Sequence, residues 1–345
     1  MRIFKTSFLT SSLTAVLLLT TPLFAIAEND AETETTSDEN AESLHPLKRA
    51  LELAASDYET LDPEVLLEAA DYLWYWSFMG PDAPVKGSME EKTAALKKSN
   101  EILHVLRKRT PRNPTVYAFI GRNNYEIGER LPQDAKDEKL ALYNEIIDLT
   151  THCVEKVDPE YPPCWAWQAS GNARLGTTEG ILSSLFGAKD VEQAWLKAIA
   201  LERDVVALNG DSSANNSRYG LGAFYRLVPD SFVVRMVAGT RGSKEKSVQY
   251  FREAVTYQPN RLELQKELGI ALICYGQNQR RGDAQIEEGK ALLRKVVAGA
   301  FDAEDIRLTD EIDKRHSREI LESPSRACGY SRDGDQDLDE SKIEK

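Results

Sequence analysis

A chain of 345 residues with 56 acidic against 43 basic side chains carries a formal net charge of −13, and so lacks the basic surface that a phosphate backbone requires. Nucleic acid is thereby excluded as a partner class, and the same excess argues against an anionic membrane surface. With 41% hydrophobic residues the chain has enough apolar content for one extended helical array or two small domains.

Residues 1–27 read as a signal peptide. Arg2 and Lys5 precede an apolar run from Leu13 to Phe24, followed by the small-residue pattern Ala25-Ile26-Ala27, which places cleavage between Ala27 and Glu28. The run is short and interrupted by Thr and Pro, less than the ~20 residues a membrane-spanning helix needs, although an uncleaved anchor is the alternative reading. No Cys occurs before Cys153, so the new N-terminus offers no lipid acceptor. Residues 28–44 hold seven acids, no base and no aromatic residue, the composition of a disordered acidic leader.

Residues 45–325 form the predicted body. Apolar residues recur at spacings of three and four, as in Val65, Leu66, Ala69, Leu73 and again in Leu262, Leu264, Leu268, Ala271, Leu272, the stripe of a helix that buries one face. Asp62-Pro63 and Asn113-Pro114 open helices, and Pro111, Pro159 and Pro259 lie just beyond the ends of others. Strand signals are nearly absent, so the predicted class is all-α.

Internal repetition refines this. Tetratricopeptide units place small residues at positions 8, 20 and 27, where two antiparallel helices approach, and large ones at 4, 7, 11 and 24. Ser247, Phe251, Ala254 and Pro259 occupy positions 20, 24, 27 and 32, and Leu268-Gly269 continue in register at 7 and 8 of the next unit. The step from closing Pro to opening aromatic recurs from Pro111 to Tyr117, followed by Ile120-Gly121, and from Pro159 to Trp165. A further unit opens with Leu221, Gly222 and Tyr225, after a helix with Ala200 and Ala207 at positions 20 and 27. Units of about 50 residues, longer than the 34 of the tetratricopeptide repeat, imply long helices or extra loops, notably Pro229–Gly242 and Gly276–Glu287. The reading is an α-solenoid of degenerate tetratricopeptide-like hairpins; a single amphipathic bundle without true repeats is the alternative.

Four cysteines in an exported chain suggest two disulfides. Cys153 closes one helix and Cys164 opens the next across a proline-rich turn, and Cys274 and Cys328 pair by elimination; buried free thiols are the alternative. Residues 326–345 are read as a C-terminal acidic tail. There Asp333, Asp335, Asp337, Asp339, Ser341 and Glu344 have the spacing of an EF-hand loop, but Leu338 stands where the turn needs Gly, and a disordered tail is the preferred reading. His45, His104, His152 and His316 are dispersed, with no metal-ligand spacing, phosphate loop or nucleophile elbow, so neither cofactor, metal nor enzymatic activity is expected. Among the aromatic residues, Trp74, Tyr75 and Trp76 cannot all face one core at 100° per residue, and Trp165 and Trp167 differ by about 200°. Trp165 holds the packing position of the repeat, which makes Trp76 and Trp167 the candidate ligand-binding residues.

From Cys164 onward the chain resembles a known family. Trp165-Ala166-Trp167, Trp195-Leu196-Lys197-Ala198, the segment from Tyr219 to Tyr225 with Pro229 after it, and Gly242-Ser243-Lys244-Glu245-Lys246-Ser247 leading to Phe251, Ala254 and Pro259 are similar to the T component associated with TRAP transporters. Regulators of microtubule dynamics share a similar ending. The resemblance covers about residues 110–300 and implies a periplasmic, tetratricopeptide-like protein that assembles as a homotrimer and pairs with a periplasmic solute-binding protein. Two functions follow: a non-enzymatic accessory to TRAP-type solute uptake that binds such a protein or a small apolar ligand, or an envelope protein-interaction scaffold.

Overall fold

In the computed structural model the described residues are 46–77, 79, 86–132, 134–179, 181–201, 212–299 and 307–331. The expected cleavage site at Ala27 and Glu28, the stretch read as an acidic leader, His45, Ala207 and the calcium-like spacing from Asp333 lie outside them. Thirteen α-helices and no strand occur among the described residues: α1 (Pro46–Glu52), α2 (Pro63–Trp76), α3 (Met89–Arg109), α4 (Pro114–Arg130), α5 (Lys136–His152), α6 (Pro162–Glu179), α7 (Ile181–Leu201), α8 (Ser213–Leu227), α9 (Phe232–Ala238), α10 (Lys244–Tyr257), α11 (Leu262–Gln277), α12 (Asp283–Ala298) and α13 (Arg307–Glu322). The all-α helical-repeat reading is what the structure shows. The helix starts follow the local chemistry. Asp62 and Asn113 accept from the backbone N–H two residues on, with Pro at the first helical position of α2 and α4, and Ser88 with Glu91 closes a reciprocal capping box on α3.

Five helix pairs pack as hairpins, α2 with α3, α4 with α5, α6 with α7, α8 with α10, and α11 with α12. Their closest approaches fall where the repeat places small residues. Ser247 Oγ donates to the Gly222 carbonyl at 2.7 Å, and Ser99 Oγ donates to the Ala70 carbonyl at 2.7 Å in the same way. Ser99 precedes Pro111 by the same interval that separates Ser247 from Pro259, so α2 and α3 form a repeat unit whose register the sequence pattern did not reveal. In α11 and α12 the contact is glycine on glycine: a Cβ on Gly289 would stand 2.4 Å from the Gly269 carbonyl oxygen.

The pair α4 and α5 departs from this register by one residue. Gly121 faces Ile146 and Thr150, one residue earlier than a count back from Pro159 gives. A π turn over Cys153–Val157, closed by Asp158 N–H donating to the Cys153 carbonyl at 2.9 Å, absorbs the extra residue. Cys153 leaves this turn facing Cys164 at the start of α6, and the two are bonded with Cα atoms 6.3 Å apart.

Three expectations are corrected. Gly276–Glu287 is no long loop, because α11 continues to Gln277 and α12 starts at Asp283; the turn is tight enough that a Cβ on Gly282 would meet the Gly276 carbonyl at 1.9 Å. Ala200 is exposed, since α7 buries the stripe Val191, Ala194, Trp195, Ala198, and Ala200 lies two residues and about 200° beyond it. The folded array also runs past residue 325: Ala327, Cys328 and Tyr330 pack with Ile270, Ile273, Cys274 and Ile320, and Cys274 is bonded to Cys328. A 3₁₀ segment, Pro324–Gly329, carries the chain back onto α11.

Candidate functional site

The candidate tryptophans separate into packing and partly exposed groups. Trp76 is 3% exposed within the largest apolar cluster, its ring so close under the backbone at Gly87 that a Cβ there would approach it to 2.4 Å. It is a core residue, and its assignment to a ligand groove is corrected accordingly. Trp74 is buried as well, leaving Tyr75 as the half-buried member of that triplet. Trp165 bridges two apolar clusters and donates its indole N–H to the Pro159 carbonyl at 2.9 Å. Trp167 is half-buried, with its Cβ against Gly121 and its ring 5.5 Å from that of Tyr125.

Around Trp167 the first helices of three hairpins contribute one band of arginines and aromatic rings. On α4, Arg122, Tyr125 and Glu129 stand at i, i+3 and i+7 and so share a stripe; Asp71 and Trp74 do the same on α2, and Trp167 and Arg174 on α6. Arg122 pairs with Asp71 at 2.6 Å, and its guanidinium sits 4.0 Å from the ring centroids of both Trp74 and Phe119. Arg174 pairs with Glu129 at 2.6 Å and donates from Nε to the Tyr125 hydroxyl at 3.0 Å, while Tyr143 on α5 donates to Glu129 at 2.9 Å.

The electrostatics of this band are self-contained. Burial lowers the Arg174 guanidinium, but Glu129, Tyr125 and Tyr143 more than offset it and hold Arg174 above its ordinary value. Burial also pushes the Tyr125 and Tyr143 phenols well above the usual range, so both remain protonated donors. Each guanidinium therefore meets a carboxylate, and what the band leaves partly exposed is the aromatic surface of Trp167 and Tyr125. Such a surface suits an apolar or peptide-like ligand better than a free anion. Trp167 was identifiable from helical geometry. Arg122, Tyr125, Glu129 and Arg174 were not, because their partners lie 45 to 51 residues away along the chain for the ion pairs.

A second polar cluster is buried where α8, α11, α13 and the 3₁₀ segment meet. Lys266 pairs with Asp313 at 2.7 Å and with Glu267 at 3.0 Å, and Arg226 pairs with Glu267 at 2.8 Å. Tyr330 lies over both cations, its ring centroid 5.4 Å from Arg226 and 5.2 Å from Lys266, and its hydroxyl is 2.7 Å from His316 Nδ1. Burial would raise the Glu267 carboxyl, yet Lys266 and Arg226 hold it below its ordinary value; burial pushes the Tyr330 phenol up to about 12 against the pull of Lys266. This cluster is closed to solvent and serves to seat the C-terminal segment.

The described histidines do not converge. His104 lies 3.6 Å from Glu145, His152 packs on Tyr117, and His316 is in the buried cluster. Among the described residues no three His, Cys, Asp or Glu side chains are grouped to hold a metal ion, and no helix is long and apolar enough to cross a membrane. Glu287 and Glu288 pair with Lys290 and Arg252 on exposed faces. No protein-family model matches the chain, and no curated protein matches it.

Proposed function

We propose that the protein is an exported, non-enzymatic binding protein that uses the band on α2, α4 and α6 to hold a periplasmic solute-binding protein or a small apolar ligand, as an accessory to TRAP-type solute uptake. The observation that carries this reading is the half-buried Trp167–Tyr125 pair flanked by two carboxylate-paired arginines. Two disulfides fit an oxidising compartment outside the cytoplasm, in keeping with the signal-like N-terminus. The resemblance to the T component supplies the transporter context and the homotrimer. The hairpin array itself favours a second reading, an envelope scaffold holding a peptide, because stacked helix pairs present long faces to protein partners.

Native mass spectrometry of the purified protein separates these. An accessory to solute uptake retains a copurified small molecule on three copies of the chain, and Trp167→Ala loses it at least tenfold while the melting temperature stays within about 3 °C, the shift of a 1 kcal/mol change at this size. A chain that carries no small molecule but retains a peptide supports the scaffold. Loss of about 3 kcal/mol of stability in the variant returns Trp167 to ordinary packing.

A further inference from the structure

Helix α9 is built to hold apolar side chains in solvent. Phe232 and Met236 are 71% exposed, Val233 68% and Val237 52%, while Ala238 is the buried residue of the helix. Positions i, i+1, i+4 and i+5 fall on one face, so the four form a single patch, and Leu227, 39% exposed, ends the neighbouring helix. The segment is an insertion between the two halves of a hairpin, α8 and α10, and the hairpin contact at Gly222 and Ser247 forms without its help.

The insertion is firmly anchored. Ser231 caps the start of α9 by accepting from Val234 N–H at 3.1 Å, and Gly239 ends it at φ 68°, where a residue with a Cβ would be strained. At its base Gly242 lies so close to Val228 that a Cβ would stand 1.9 Å from the Val228 carbonyl oxygen, and Ser243 N–H donates to the Tyr225 carbonyl at 2.9 Å. A patch held in place in this way is a presented surface, and exposed apolar patches of this kind mark protein or membrane contacts.

Its charge reverses that of the whole chain. Between Leu227 and Lys244 the sequence holds Arg235, Arg241 and Lys244 against Asp230, and α9 itself contains no acid. Arg235, on α9 itself, is exposed; Arg241 is exposed too and lies 3.5 Å from Asp230 in a solvent-exposed ion pair, a weak pairing that a phosphate can replace, whereas Lys244 turns inward to the Arg226 carbonyl. Four side chains on two helical turns fall short of the ~800 Å² per partner that a standard protein interface buries. A bilayer sets no such minimum: a shallow apolar wedge with basic residues at the level of the lipid phosphates is enough for reversible binding.

We propose that α9 is a membrane-surface contact, seating Phe232, Val233, Met236 and Val237 in the interface of a lipid bilayer with Arg235 and Arg241 against its phosphates. The net charge of −13 repels the rest of the chain from an anionic surface and confines the contact to this tip. The inference stands apart from the band on α2, α4 and α6.

The test uses the full chain with vesicles of phosphatidylcholine containing one quarter phosphatidylglycerol. In a Phe232→Trp variant the difference in emission from wild type, whose five tryptophans supply the background, reports the site, and the same difference for a chain carrying Tyr257→Trp, another exposed aromatic residue outside α9, gives the reference. Expected are a blue shift on vesicle addition at position 232 but not at 257, and an at least tenfold fall in vesicle partitioning for the Phe232→Ser/Met236→Ser double variant at unchanged melting temperature. Arg235→Gln/Arg241→Gln is expected to remove the preference for anionic over neutral vesicles. Absence of a shift at 232, equal partitioning of wild type and the serine variant, or a shift that tracks protein concentration without vesicles, the sign of a second copy on α9, would each overturn the proposal.

Discussion

Lys266 shows how far pairing can carry a charge into a helical core. Its ammonium is fully buried and meets Asp313 and Glu267, with Arg226 completing a balanced set of two cations and two carboxylates. Removing one member leaves buried charge uncompensated, which costs more than the pair itself contributes. Lys266→Met is therefore expected to lose about 3–5 kcal/mol of unfolding free energy in urea titrations, and a Lys266→Met/Asp313→Leu variant to recover much of that. A loss under 1 kcal/mol in the single variant would mean that water reaches the cluster. The same reasoning separates the tryptophans: Trp76 has backbone packed on its ring, whereas Trp167 keeps part of its surface outside the apolar cluster.

At the level of elements, the two disulfides close loops of very different length, with sequence separations of 11 and 54. The chain-entropy model gives about 3 kcal/mol for the short loop and about 4 kcal/mol for the long one. Cys274→Ala/Cys328→Ala is accordingly expected to lower stability more than Cys153→Ala/Cys164→Ala, as read from urea midpoints at constant slope. The reverse order would show that the short bridge holds the π turn, and with it the offset register of α5, in the native state. The turn matters because Cys153 faces Cys164 after one extra residue has been absorbed; without it Pro159 would sit one residue closer to the packing positions of α5.

For the whole molecule, acid is the condition its buried charges respond to. Burial holds His104 below its ordinary value of 6.5, with Glu145 opposing, and the cations around Glu267 hold that carboxyl below 4.5. In both cases the folded state takes up a proton later than the unfolded chain does, so the stability linked to each group is present above its ordinary value. It is lost as pH falls through the lower folded one. Urea midpoints are expected to decline from pH 6.5 downward and more steeply below 4.5. His104→Gln should remove the first part of that decline and leave the second; a midpoint unchanged between pH 7 and 4 would contradict both shifts.

Composition, proline placement and small-residue spacing by themselves determined the helical class, the starts of α2 and α4 and the pairing of α8 with α10, and suggested the two cysteine pairs that the structure bonds. The helix class and starts follow from chemistry within one or two turns of the chain, and the hairpin from repeat positions that keep their register across the α9 insertion. Only the tertiary structure decided the rest. The register of α2 with α3 rests on a serine standing where α8 and α10 also use one, but without the surrounding pattern that would identify it. The band of Arg122, Tyr125, Glu129 and Arg174, the burial of Trp76, the seating of Tyr330 over Lys266 and the exposure of α9 all depend on which helix faces come together. Periodicity gives the faces of a helix but not the neighbour that covers each one.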